Sequence, residues 1–383
     1  MDEAGERTPF PPGIDTSAGG PSWLWAAPDR RGADALVRAR ELVLRYGWNA
    51  TAYQILNPGI SFWFSADGDA VVGFVTRHRV RVVAGVPVCA EARLAEVAGE
   101  FEVAARAAGE RVCYFGAGER LESTYVARPT HSMIALGAQP SWDPRGWPRM
   151  VASRASVRAQ LNRARNKGVR VEAWPAERAT RNSQLQRCLD EWLESRPLPP
   201  LHFLVEPETL ALLFDRKVFV AQRGGAPVGF LVASPVPARN GWLIEQFVRG
   251  HHAPNGTSEL LIDAAMRSLA AQGATYVTLG LAPLSRHARP VPGPLWLRAL
   301  LGWVRLHGRR FYNFEGLDSF KSKFQPQAWE EILAIYSEPD FSPRALYAIA
   351  AAFSDRSPPS MLVRALWKAV RQEGAWVAQR VRR

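Results

Sequence analysis

The chain has 383 residues, 47% of them hydrophobic and 10% aromatic, with 48 Lys+Arg against 36 Asp+Glu for a formal net charge of +12. That apolar fraction excludes wholesale disorder and collagen-like repeats, and at roughly 100–200 residues per domain the length predicts two globular units. The three cysteines, Cys89, Cys113 and Cys188, are scattered with no C-x-x-C pair, so zinc chelation and thiol exchange are not expected and a reducing, cytosolic setting is.

Residues 1–22 are Pro/Gly-rich, contain no apolar core and read as a disordered lead-in, not as a secretory signal. From Ser61 to Val88, β-branched and aromatic residues predict an antiparallel meander with a tight turn at Asp67-Gly68. Helical periodicity over 91–108 precedes a strand at 112–118 and another at 130–136, giving a mixed α/β unit over 23–145. The turn formers of 140–149 mark a junction.

Beyond it, Ser153 or Ser156 is expected to cap a basic helix ending near Gly168. A strand at 169–174 and a helix over 178–195 follow. Strands KVFVAQ, PVGFLVAS and GWLIEQFV come next, with Gly224-Gly225 as a turn. A helix over 255–272 then leads into the strand ATYVTLGL. Helix, antiparallel strands, helix, strand is the order of a GNAT-type acyltransferase. Both halves read that way, so the predicted fold is α/β (α+β), two GNAT-like units in tandem with mainly antiparallel sheets, the second over 146–340. A basic amphipathic tail follows over 341–383.

Pro254, Asn255 and Gly256 stand where the second unit's helix begins, and free N–H groups there suit a phosphate or a carbonyl oxygen. On these residues alone, Asn-Gly reads first as a turn. The Q/R-x-x-G-x-G/A run of CoA-dependent acetyltransferases is absent, as are G-x-S-x-G, H-E-x-x-H, the P-loop and the dinucleotide G-x-G-x-x-G. Neither a metal nor a bound cofactor is expected. On a helix starting near Glu315, Asp318 and Ser322 share a face while Lys321 and Lys323 point outward on different sides.

Charge is unevenly placed. Eight basic residues and no acidic one fall between Arg145 and Arg170, and 361–383 carries six basic residues against Glu373, a distribution that suits polyanionic partners. In the tail, Leu362, Leu366, Trp367 and Val370 recur at helical spacing among Arg and Lys. This is the pattern of an interfacial helix or of one docked on the protein's own surface. No stretch approaches the ~20 apolar residues that span a bilayer.

The stretches APNGTSELL, YVTLGLAPLS, PLWLRALLGWVRLHG and FYNFEGLDSFKSKFQPQAWEE, with SFWFSADGDAVVGFV, VAGVPV and LNRARNKGVRVE upstream, resemble the C-terminal catalytic domain of the multiple peptide resistance factor family, the phosphatidylglycerol lysyl- and alanyltransferases. The resemblance covers about 50–340. It implies kinship to the Fem aminoacyltransferases, aminoacyl-tRNA as co-substrate, an anionic membrane lipid as acceptor and a part in antimicrobial peptide resistance. The large membrane-embedded portion of that family is not in this sequence, so a peripheral protein at the inner face of the cell membrane is expected. On the matching motifs, Glu259, Glu315, Asn255 and His251 become candidate catalytic residues. Arg249, Gly256, Glu245, Tyr312, Asn313, Asp318, Lys321 and Lys323 become candidate substrate contacts, and Arg158, Asn162, Arg163 and Lys167 candidate tRNA or lipid phosphate contacts. Members of the family often carry aspartate where Glu259 stands. The proton acceptor stays open among His251, His252 and the substrate itself. A Fem-like amine acceptor and a non-catalytic tRNA- or membrane-binding module are the alternatives.

Overall fold

The computed structural model describes residues 30–196, 201–289, 296–297 and 314–354. In the first half, α1 (Arg30–Tyr46) leads to the meander β1 (Ser61–Phe64), β2 (Val71–Arg77) and β3 (Val80–Ala84). Then come α2 (Leu94–Ala107), β4 (Arg111–Ala117), α3 (Glu119–Tyr125), β5 (Ser132–Trp142) and α4 (Trp147–Ser153). The second half runs α5 (Ala155–Asn166), β6 (Val169–Trp174), α6 (Ala176–Ala179), α7 (Ser183–Glu194), β7 (Lys217–Arg223), β8 (Ala226–Val236), β9 (Gly241–Arg249), α8 (Thr257–Ala271), β10 (Tyr276–Thr278) and β11 (Ala282–Pro283). It closes with α9 (Phe314–Ser322), β12 (Ala328–Tyr336) and α10 (Pro343–Ala352).

All strands join one sheet in the order β1-β2-β3-β4-β12-β5-β10-β9-β8-β7-β6, with β11 on β5. Each half repeats one scheme: an antiparallel meander, a crossover helix, and a strand parallel to the meander's last. These are α2 and β4 beside β3, and α8 and β10 beside β9. A parallel neighbour requires such a crossover, which is why one long helix separates those strands in each half. This is the tandem GNAT-like α/β fold expected, and the mostly antiparallel sheet agrees with the alternating patterns of the strands.

Packing explains the helices. On α8, Leu261, Ala265 and Leu269 are wholly buried, and so are Leu161 and Ala164 on the facing side of α5. Each such leucine contributes about 1.5–3 kcal/mol over leaving it in water. Gly256 sits at the start of α8 with φ +92°, and a side chain there would collide with the Gln160 carbonyl of α5, so glycine serves both conformation and close approach.

Three elements differ from expectation. Residues 140–142 extend β5, because Trp142 and its neighbours pair with β10 and, from far along the chain, β12; the following residues are helical, with Trp147 buried. The helix expected over 178–195 is broken at Arg181 (φ +52°), and Asn182 restarts it by accepting from the Gln184 and Leu185 N–H groups at 3.1 and 3.2 Å. Neither Ser153 nor Ser156 caps α5; Arg154 holds that place without a side-chain bond.

Candidate functional site

The parallel pair β9 and β10 stays in register for three residues, Gly241 to Leu243 against Tyr276 to Thr278, and then parts. Beyond that point β9 pairs with β8 and carries a bulge. Val232 faces Gln246 and Ala233 faces Ile244, leaving Glu245 as the extra residue. A bulge of this kind re-aims side chains and is common beside active sites.

Helix α9 bridges the diverging strands. The Phe320 ring lies on Phe247 of β9 with centroids 5.6 Å apart and planes 19° apart. Lys321 Nζ donates to the carbonyls of Gly280 and Leu281, just past β10, at 2.7 and 2.9 Å. Phe324 is wholly buried against Trp147 and accepts the Trp142 indole N–H through its carbonyl at 3.0 Å. Lys321 was expected to point outward. It is instead 2% exposed, because the turn that carries it is pressed against the sheet. Burial pushes its ammonium down to about 7, against the opposing pull of Asp318.

Asp318, one helical turn before Lys321, accepts the Ser285 hydroxyl at 2.5 Å and has Arg286 Nε at 3.4 Å and His287 Nε2 at 3.8 Å. His287 stacks flat on Trp329, centroids 4.0 Å apart. Glu259, in the first turn of α8, accepts from Lys323 Nζ at 2.6 Å, and that ammonium lies 3.8 Å from the Phe320 ring centroid and 5.0 Å from that of Phe324. The structure therefore uses α9 and the residues just past it to hold Asp318 and Lys321 against the segment that follows β10 and Lys323 against Glu259 at the start of α8. Glu315 lies exposed on the first turn of α9.

Other candidates lie apart from that cluster or play visible parts elsewhere. Glu245 is paired in a buried place with Arg216 Nε at 2.5 Å and accepts from Gln54 Nε2 at 2.8 Å, and the second contact ties the short 3-10 helix Tyr53–Leu56 of the first half to the second. Breaking such a pair by removing one partner typically costs about 3–5 kcal/mol. Arg249 is exposed at the end of β9, and His251, His252 and Asn255 are exposed along the connection from β9 to α8, where the His251 backbone N–H donates to Glu191 at 2.7 Å. Gly256 is buried under α5. Arg158, Asn162 and Arg163 on α5 and Lys167 just past its end are exposed, and the opposite side of the helix packs on α8; Arg158 donates to the carbonyls of Val151 and Ala152. Tyr312, Asn313, the segment 298–313 and the tail beyond Ser354 lie outside the described residues.

Ser285, His287, Phe247 and Arg216 escaped the sequence reading. Ser285 is 33 positions from the carboxylate it bonds, and no spacing rule links residues that only the fold brings together. Among the described residues there is no group of three or more His, Cys, Asp or Glu able to hold a metal, and no helix long and apolar enough to cross a membrane.

Two GNAT-like halves sharing one sheet, with polar side chains gathered where the second half's parallel strands part, define an acyltransferase-type architecture. Residues 40–336 match the phosphatidylglycerol lysyltransferase C-terminal family, and the chain belongs to that family, which makes it a transferase domain. In fold it is similar to the C-terminal domain assigned to a lysylphosphatidylglycerol synthetase of Agrobacterium fabrum, with 23% identity, a TM-score of 0.72, and coverage of 84% of this chain and 98% of that one. It is likewise similar to L-PGS from Bacillus licheniformis, with 23% identity, a TM-score of 0.67, and coverage of 86% and 95%. No curated protein matches the sequence.

Proposed function

We propose that this protein transfers an aminoacyl group from aminoacyl-tRNA to a hydroxyl of a membrane lipid of the phosphatidylglycerol kind, working at the inner face of the membrane without a bound cofactor. The reading rests on family membership. Within the molecule it is carried by one observation: a lysine of weakened basicity, Lys321, is held on the Gly280 and Leu281 carbonyls where β9 and β10 part, two residues before Lys323, whose ammonium meets the Glu259 carboxylate.

The donor is an activated ester. The lipid oxygen attacks its carbonyl carbon, the tetrahedral oxyanion collapses, and the ribose oxygen of the tRNA leaves with a proton, so no covalent enzyme intermediate is required. Glu259 is the acid that receives the donor's α-ammonium. Lys321 is the proton acceptor. In its neutral form two N–H bonds serve the Gly280 and Leu281 carbonyls and the lone pair remains for the hydroxyl proton. Lys321 takes this role ahead of His251 and His252 because it is held at the parting of the strands, whereas both histidines lie on the exposed connection. Arg158, Arg163 and Lys167 supply phosphate contacts that give salt-dependent affinity without reading base sequence.

Incubating the purified chain with total charged tRNA and mixed lipids, and identifying products by mass, tests the proposal. A lipid heavier by one aminoacyl residue is the expected product. Amino acid transferred only to added amines or peptides would reassign the acceptor, and no transfer at all would overturn the reading.

A further inference from the structure

The surroundings of Lys323 have the composition of a receptor for a primary ammonium group. The Glu259 carboxylate stands 2.6 Å from Nζ, the Phe320 face 3.8 Å and the Phe324 face 5.0 Å. Carboxylate plus aromatic faces is the combination that favours an alkylammonium, through a charge-assisted hydrogen bond and the ring quadrupoles. The walls are built in advance. Phe324 is fully buried against Trp147, Phe320 is stacked on Phe247, and Glu259 is fixed on the first turn of α8 with its side chain 13% exposed. The occupant is the loose part. Lys323 lies just past the end of α9, its side chain is 28% exposed, and a lysine's four-carbon stem is flexible enough to swing away.

We infer that Lys323 is a built-in occupant of a ligand ammonium site, and that an amino-acid ammonium enters by taking its place on Glu259. Naming the ligand as the donor's aminoacyl end rests on the transferase reading above; the exchange itself does not. Two consequences follow from charge balance. The empty site is neutral overall, so only a ligand that brings its own ammonium together with further contacts displaces the lysine. Once displaced, the Lys323 cation is released beside the bound ligand, where it meets the oxyanion or a donor phosphate, so occupancy by the correct group delivers a positive charge to the reacting end.

The experiment uses alaninamide and lysinamide as probes, which carry the α-ammonium and a carbonyl but no carboxylate, with N-acetylalaninamide as the control that lacks the ammonium. In the wild-type chain, acetylation of Lys323 by a low dose of acetic anhydride, read by peptide mass as a ratio to acetylation of the exposed Lys167 in the same sample so that reagent consumed by the probe's own amine cancels, is expected to rise several-fold when an amide probe is added and to stay unchanged with the control. By calorimetry, Lys323→Met is expected to bind the amides about 10-fold or more tightly than wild type, since no internal charge-assisted bond has to be broken. Lys323→Arg should bind weakly, as wild type does, and Glu259→Gln should lose the gain when combined with Lys323→Met. Lys323 reactivity indifferent to the amides at their highest soluble concentration would overturn the inference, and so would a folded Lys323→Met chain with wild-type affinity. If Lys323→Met does not fold, the wild-type labelling decides. Neither measurement contains tRNA or lipid, so a negative transfer assay with positive exchange would sink the transferase reading alone.

Discussion

The two halves share a topology and differ in how far their parallel strands run together. In the first half β3 and β4 hold five residues in register, from Val80 with Arg111 to Ala84 with Phe115. The pairing then continues as Gly85 N–H donates to the Phe115 carbonyl at 2.8 Å, and Asn49 donates to the Gly116 carbonyl at 2.9 Å. The backbone is satisfied to the strand ends and the gap is closed. In the second half β9 and β10 part after three residues, and side chains of α9 take the freed carbonyls. Buried polar backbone needs a partner. Where another strand supplies it the half is a scaffold, and where a lysine supplies it the half acquires a titratable group in a protected place.

Polar clusters in the halves differ in the same sense. Glu102, buried on α2, accepts from the Tyr125 hydroxyl at 2.6 Å, the Tyr114 hydroxyl at 3.1 Å and His131 Nε2 at 3.2 Å, and His131 stacks on Tyr125. Every partner is internal, as expected of a structural network. The Glu259 and Lys323 pair is half-open, and its lysine comes from a helix end.

The sharpest way to break this contrast is Lys321→Met, for which kcat for aminoacyl transfer should fall roughly 10²–10⁴-fold, the usual contribution of a positioned base. Wild-type activity should rise as pH passes about 7, where Lys321 becomes neutral, and the variant should lack that limb. Stability carries the same signature. Between about 7 and the ordinary 10.5 the unfolded chain holds a proton that the native Lys321 has lost, so unfolding free energy increases with pH across that window, and Lys321→Met should flatten it in pH-resolved urea titrations.

Glu259→Gln should lower kcat/KM roughly 10- to 100-fold by losing a charged hydrogen bond to the donor, while the melting temperature changes little. Wild-type turnover in this variant would remove its role.

Glu102→Gln tests the other half. Activity per folded molecule should be unchanged, and stability should drop by about 1–3 kcal/mol in urea titrations because buried donors lose a charged partner. Burial alone would raise the Glu102 carboxyl, but the hydrogen bonds from His131 and Tyr125 outweigh it and hold the group below its usual range. The wild-type stabilisation is therefore present above the ordinary value of 4.5 and is lost as pH falls through the lower native value. A Glu102→Gln variant that abolished transfer would dissolve the division between scaffold half and working half.

The smallest effect is expected from Arg163→Ala with Lys167→Ala. Affinity for tRNA should weaken several-fold regardless of sequence, and the slope of log K against log salt should shrink by about 1.5–2 in filter-binding assays. An unchanged slope would move the polyanion to another face.

Much of the fold was legible because strand and helix periodicities are local. The meander over 61–88, the helix of 91–108 and the turn at Gly224-Gly225 all stand where alternation and turn residues put them. The site was legible only through the resemblance of long motifs, which pointed to Glu259, Asp318, Lys321 and Lys323 without saying how they meet. The direction of Lys321 was misread because helical phase alone assigns faces, whereas which face is buried depends on where α9 lands.

Composition and periodicity determined by themselves that this protein has two mixed α/β halves, a basic stretch on α5 and a polar, aromatic stretch near its end, since each is a property of neighbours along the chain. Tertiary structure alone decided that β12 lies between β4 and β5, that β10 stops after three residues, and that Lys323 sits on Glu259. Those outcomes depend on which distant strands win the free backbone hydrogen bonds, and that competition is settled only when the whole sheet assembles.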